Sequence, residues 1–214
     1  MHRICDQAEA VRRALDASEM AMPSGYHPLT ELEAEPGKVV EIASTLGLST
    51  VLCPSLAGLD YPEEARDRYG LGERLGRIGA RLPDAGLRSG WHNHDVEFQS
   101  LPGSSLALDL LLQGAPDPGW TFDVAWSLLG GQGPGKRIRR LGGRILSAHA
   151  KDIAPVGTDP DQNGWTSVGS GTVDGSKLEK DLHAAGCNHL VIKHANPADD
   201  AAFARVSALA FRGR

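Results

Sequence analysis

Leu87-Arg88-Ser89-Gly90-Trp91-His92-Asn93-His94-Asp95-Val96-Glu97-Phe98 joins a short apolar run to a dense group of imidazoles and carboxylates. The run Leu87–Trp91 predicts a strand, and His92-Asn93-His94-Asp95 sits at its C-terminal end. Upstream lie three predicted helices, at Ala8–Leu15, at Glu33–Leu46 with Gly47 as a C-cap, and at Pro62–Leu82. A short run ending at Met22-Pro23-Ser24-Gly25-Tyr26-His27 and a strand at Ser49–Pro54 separate them. Downstream come a helix at Ser105–Leu112 capped by Ser104 or Ser105, a strand at Trp120–Val124, a helix at Gly135–Leu141 and a strand at Ile145–His149. A Gly/Asp/Pro-rich loop, Pro155–Gly171, is long enough to be functional rather than connective. A helix at Leu178–Ala185, a strand at His189–Ile192 and a helix at Asp199–Leu209 complete the order. Strands alternating with helices imply a parallel sheet with helical crossovers, in about six βα units.

The 214 residues, 41% of them hydrophobic, suffice for one sizeable core, and a single domain over residues 1–214 is expected. They fall short of the ~250 residues of a complete eightfold (β/α) barrel. A net charge of -5 argues against a nucleic-acid backbone as partner. The local basic run Lys136-Arg137-Ile138-Arg139-Arg140 reads as a solvated helix face. Cys5, Cys53 and Cys187 are three, widely spaced and without a CxxC pair, which excludes a disulfide framework and fits a reducing compartment. No apolar run approaches the ~20 residues of a membrane span, and Met1–Asp6 does not open a signal peptide, so a cytoplasmic location is expected. Gly169-Ser170-Gly171 and Gly130-Gly131-Gln132-Gly133 lack phosphate-loop spacing and read as loops.

Side chains able to do chemistry recur at one end of the strands: His27, His92, His94, Asp123, His149, Lys151 and His194. In a parallel barrel those ends converge on the face where active sites are built. Asp123, inside the apolar run Phe122-Asp123-Val124, requires a partner or a metal to offset its desolvation. An Asp on one strand and His149 on the next make half of a divalent-metal site. If the strand continues past Trp91, His92 and His94 point to the same side. Glu97 is near enough to serve as ligand or base, or else is an exposed loop carboxylate.

Gly90-Trp91-His92-Asn93-His94-Asp95-Val96-Glu97-Phe98 resembles the Gly-Tyr-His-Asn-His-Asp-Phe-Glu-Phe signature of one branch of the sugar phosphate isomerase/epimerases, which have a xylose-isomerase-like TIM barrel. Four further segments are similar to that family in order and spacing: Phe122-Asp123-Val124-Ala125-Trp126, Arg144–Ile153 with His149-Ala150-Lys151-Asp152, Val168–Asp174, and His194-Ala195-Asn196-Pro197. Together they span roughly Met20 to the C-terminus.

The resemblance implies a TIM-type barrel, here incomplete at the N-terminus, with about six βα units instead of eight. It implies a divalent cation (manganese, magnesium or zinc) at the strand ends, and isomerisation of a sugar or sugar phosphate by proton abstraction next to a carbonyl, through an enediolate. It places Asp123, His149 and His92 as metal ligands, and His92, His94, Glu97 and Lys151 in catalysis, with Lys151 as substrate or oxyanion partner. His27, Trp126, Asp152, Lys193 and His194 fall to substrate binding. The glutamate of the family's last strand corresponds to Lys193 here, and the family's opening strand, helix and strand have no counterpart. These two departures leave a second copy closing the open barrel, or a truncated relative without turnover, as alternatives; a zinc endonuclease-type relative shares the fold, and the acidic balance argues against it.

Overall fold

The computed structural model describes residues 8–56, 61–101, 103, 105–158 and 163–212. Cys5, Ser104 and the N-terminal stretch Met1–Asp6 lie outside them. The chain divides into two compact units, Met1–His92 with Ser100–Gly119, and Asn93–Gln99 with Trp120–Arg214.

The first unit opens with helix α1 (Ala8–Ala17), tied to the body by Arg12, whose Nη1 donates to the Leu46 carbonyl at 2.8 Å. Strand β1 (Ser24–Tyr26) leads into α2 (Leu29–Ala34) and α3 (Pro36–Leu46). The single helix expected over Glu33–Leu46 is therefore two. Pro36 disfavours helical geometry at the residue before it, and Glu35 leaves the helix at φ -130, ψ 49. Gly47 ends α3 as expected, at φ 75. Strand β2 (Thr50–Cys53), buried along its length, pairs in parallel with β1 (Tyr26 opposite Leu52) and with β3, Arg88–His92 (Cys53 opposite Trp91). Helix α4 (Ala65–Gly79) lies between β2 and β3, and α5 (Ala107–Gly114) follows β3. Ser105 does not cap α5. Its N-cap is Leu106 without a side-chain bond, and a bridge between Ser100 and Leu106 sets the entry instead. Helices α4 and α5 meet backbone to backbone at Gly72 and Gly114, where a Cβ on either would strike the other helix's carbonyls.

On the outer surface of this unit, Arg74 on α4 grips Glu33 on α2 in a two-pronged pair of 2.7 and 2.8 Å. The Arg74 guanidinium holds the Glu33 carboxyl below its ordinary value of 4.5. A depressed carboxyl stabilises the fold above its unfolded pKa and loses that contribution as pH falls through the folded one. Glu33→Gln is expected to cost at most about 0.5 kcal/mol at pH 7, since both partners are roughly one-third exposed. Urea midpoints of variant and wild type should converge as pH falls through the depressed carboxyl pKa; a gap that persists once Glu33 is protonated would refute the assignment.

The second unit is built on β4 (Gly119–Asp123), β5 (Ile145–Ala150) and, after a short antiparallel hairpin of β6 (Asp152–Ile153) with β7 (Trp165–Thr166), β8 (Leu190–Ile192). Strands β4, β5 and β8 are parallel, with Asp123 opposite His149 and His149 opposite Val191. Helices α6 (Val124–Leu129), α7 (Pro134–Leu141), α8 (Gly175–Ala184) and α9 (Asp200–Arg212) connect and follow them. Two of these elements depart from the expected order. The strand through Val124 stops at Asp123 because that carboxylate caps α6, accepting from the Trp126 N–H at 3.2 Å. The long loop carries β7, so its described part is folded back on β6 rather than irregular. Among the described residues β1, β2, β3, β4, β5 and β8 are parallel strands and each is followed by a helix, which matches the expected six βα units.

Cys53 and Cys187 are buried free thiols, and burial pushes Cys53 up to about 12, so neither behaves as a nucleophile at neutral pH. No helix among the described residues is long and apolar enough to cross a membrane.

Candidate active site

Period-two alternation sorts β4 into two faces. Trp120 and Phe122 lie on one, with ring centroids 4.5 Å apart, and Thr121 and Asp123 lie on the other. On β5 the residues opposite the polar face are Ser147 and His149. The Thr121 and Ser147 hydroxyls meet at 2.9 Å, and one step further along the strands Asp123 Oδ2 meets His149 Nδ1 at 3.3 Å. The same parity carries Lys151 past the end of β5, and Lys193 past the end of β8, to this face. The Lys193 backbone N–H bonds the Ala150 carbonyl at 3.1 Å, and its Nζ lies 3.8 Å from Asp123 Oδ2.

Asp123 is 0% exposed, and its two carboxylate oxygens are divided. Oδ1 caps α6, while Oδ2 faces His149 and Lys193. Its backbone is fixed by Asn93, a residue sequence reasoning did not single out. Asn93 Oδ1 accepts from the Asp123 N–H at 2.9 Å and from Trp120 Nε1 at 2.8 Å, and its Nδ2 donates to the Asp123 carbonyl at 3.1 Å. Nothing short of the folded arrangement reveals that role, because all three bonds cross about thirty residues of sequence.

Burial pushes the His149 imidazole below its ordinary pKa, against the opposing pull of Asp123, so the ring is neutral near pH 7. That is the form able to ligate a metal. Burial also brings Lys151 down to about 8, with Asp123 opposing and Lys193 adding to the shift. Its ammonium lies between two indoles, 4.5 Å from the Trp126 centroid and 3.2 Å from that of Trp165. Trp165 was not foreseen as a site residue. Its only sequence signal is an aromatic in a polar loop, and it is the β6–β7 pairing that brings it to Lys151.

The other expected residues are placed as follows. The strand ends at His92, so His94 is not on its alternation. It lies in the following turn, its ring 5.5 Å from Trp126, and its N–H donates to Glu97 Oε2 at 2.6 Å. Glu97 is buried rather than an exposed loop carboxylate. Asp152 directs both oxygens at backbone N–H groups, those of Ile153, Gly169, Gly171 and Val173, and so folds the Ser167–Val173 loop against the end of β5. His194 Nδ1 accepts from the Asn196 N–H and its ring packs on Phe203. In the first unit, His27 pairs with Glu31 at 3.0 Å, and His92 is buried at the end of β3 beside Tyr26. The second unit thus gathers Asp123, His149, Lys151, Lys193, Trp126, His94 and Glu97, while Asp152, His194 and His27 are engaged with neighbours of their own.

The donor set is one carboxylate oxygen and one neutral imidazole, with the types suited to zinc, manganese or magnesium. Their 3.3 Å separation matches the roughly 3.3 Å edge of a tetrahedron with ~2.0 Å metal–ligand arms. The residues therefore fit a divalent cation, with the Lys193 and Lys151 ammoniums as opposing charges.

No protein-family model matches the sequence, and no curated protein matches it significantly. Solved structures do. A sugar phosphate isomerase/epimerase from Parabacteroides distasonis superposes with a TM-score of 0.79 at 19% identity, over 94% of this chain and 74% of the other. The IolI protein with a bound zinc atom gives 0.72 at 13% identity, over 94% and 79%. The apo 3-keto-D-glucoside 4-epimerase of E. coli gives 0.68 at 15% identity, over 97% and 84%. At these identities the likeness establishes the fold, and the chain is an incomplete TIM-type barrel that resembles the sugar phosphate isomerase/epimerases and other xylose-isomerase-like barrels.

Proposed function

We propose that this chain is a metal-dependent isomerase or epimerase of a sugar or sugar phosphate, working by proton removal next to a carbonyl and through an enediolate. Asp123, His149 and His92 are its ligand set. Asp123 and His149 face each other across β4 and β5, and His92 joins them as the position where the family resemblance expects a ligand. A bound divalent cation supplies Lewis-acid polarisation of the substrate carbonyl. The Lys151 ammonium, fixed between the indoles of Trp126 and Trp165, offers its protons to the oxygen on which negative charge develops. His94, beside Trp126 and oriented through its backbone by Glu97, carries the transferred proton. Trp126 presents an aromatic face to the C–H side of the sugar. Lys193 and His194 line the rim, and Asp152 and His27 act through the loop and helix they hold.

The observation that carries this reading is the buried Asp123 carboxylate 3.3 Å from a neutral His149 imidazole, with two lysines adjoining. The resemblance to isomerases and epimerases supports the substrate class. Incubation in D2O with manganese and a panel of ketoses, 3-ketosugars and their phosphates should give deuterium at the carbon next to the carbonyl of at least one, followed by NMR. Absence of exchange across the panel in protein that binds the metal would favour the second reading, a barrel that retains the site without turnover, for which Lys193 is the specific argument.

A further inference from the structure

The backbone of Lys193 is held in the sheet, and its side chain is partly exposed. Its N–H continues the β8 ladder onto the Ala150 carbonyl, while the side chain is 31% exposed and runs from the solvent side toward a carboxylate that is wholly buried. The ammonium stops 3.8 Å from Asp123 Oδ2, the same oxygen that lies 3.3 Å from His149 Nδ1. Asp123 Oδ1 accepts from the Trp126 N–H, and Oδ2 is the oxygen that faces His149, so a cation shared with His149 meets Asp123 at Oδ2. A divalent ion shared by Asp123 and His149 and a lysine ammonium against Oδ2 would draw on one negative charge, and like charges that close repel strongly in a buried setting. Lys151, on the same face, adds a second positive charge and cannot relieve that repulsion.

We propose that Lys193 is a built-in competitor for the divalent cation: its ammonium neutralises Asp123 in the metal-free protein, and metal loading requires the side chain to swing away toward solvent. This deepens the metal-dependent reading above and rests on it. The site is thus one of reduced affinity, loaded only when the free ion is abundant enough to displace the lysine, and the lysine keeps the buried carboxylate compensated when the ion is absent.

The test is calorimetric titration of wild type, Lys193→Gln and Lys193→Glu with Zn2+ and with Mn2+ alone, with Asp123→Ala made in each background and thermal melts to establish folding. Removal of the ammonium is expected to tighten binding by about tenfold, and a carboxylate at this position by about a hundredfold. Asp123→Ala should abolish the gain in both. Equal or weaker binding by Lys193→Gln overturns the proposal while leaving the metal reading intact. Failure of all three proteins to bind either ion overturns both. Gain that survives Asp123→Ala places the ion elsewhere and also overturns it. Should the variants fold poorly, wild type alone decides: modification of Lys193 by an amine-acylating reagent, read by peptide mass spectrometry, should rise severalfold on saturation with zinc, and an unchanged or lower yield counts against the swing.

Discussion

Asp123→Ala is expected to weaken divalent-metal binding by at least about a hundredfold and to remove any isomerase activity with it. The substitution deletes the anionic half of the Asp123–His149 pair and leaves the neighbouring Lys193 and Lys151 charges uncompensated. It also deletes the cap of α6, which costs about 1 kcal/mol of stability. Asp123→Asn separates these two losses. The amide oxygen can still accept the Trp126 N–H, so stability should fall less than in the alanine variant, while the metal is lost as completely. His27→Ala is the matched control: it removes a buried imidazole with its own partner, Glu31, and should lower the melting temperature without changing metal affinity. Equal losses of affinity in Asp123→Ala and His27→Ala, measured by the same titration, would refute the site.

The second large effect concerns two glycines on one helix. A methyl group on Gly72 would overlap the Leu111 carbonyl oxygen and lie 2.9 Å from Gly114 Cα, all of it backbone that cannot turn aside. Gly72→Val should therefore cost about 3 kcal/mol or more, or roughly 6–12 °C in melting temperature for a chain of this size. Gly70, two residues earlier in the same helix, has nothing within 4 Å of a built Cβ. Gly70→Ala should be neutral or stabilising by about 0.5 kcal/mol, because alanine spares the backbone entropy a helical glycine loses. Thermal melts that rank the two variants alike would show that the α4–α5 contact is not the rigid one described.

The alternation of strands and helices was legible because it depends on local patterning, which short runs such as Thr50-Val51-Leu52-Cys53 carry plainly. Gly47 as a terminator was legible for the same reason. The boundary at Pro36 was legible in principle, since the restriction a proline places on its predecessor is local, yet the apolar spacing through Glu33–Leu46 outweighed it. Helix α6 escaped notice because Asp123 looks like part of a strand and acts as a cap only once Trp126 has turned back over it. At the site, Asp123, His149 and Lys151 could be named from strand ends because parity puts them on one face. Asn93 and Trp165, which hold or flank them, could not, and Asp152 was named for substrate rather than for the loop it holds. Asn93 matters through bonds to Trp120 and Asp123, Trp165 through the β6–β7 pairing, and Asp152 through four backbone donors on the loop after it. Each is a tertiary relation with no period in the sequence.

The divided carboxylate of Asp123 has an evolutionary corollary. One oxygen caps a helix and the other faces His149 and Lys193, so a lineage without the proposed reaction would still be penalised for replacing this aspartate by an apolar residue. Helix architecture alone would tolerate asparagine here, so an aspartate exchanged for asparagine, with the helix kept, is the change a lineage released from metal binding would be expected to show first.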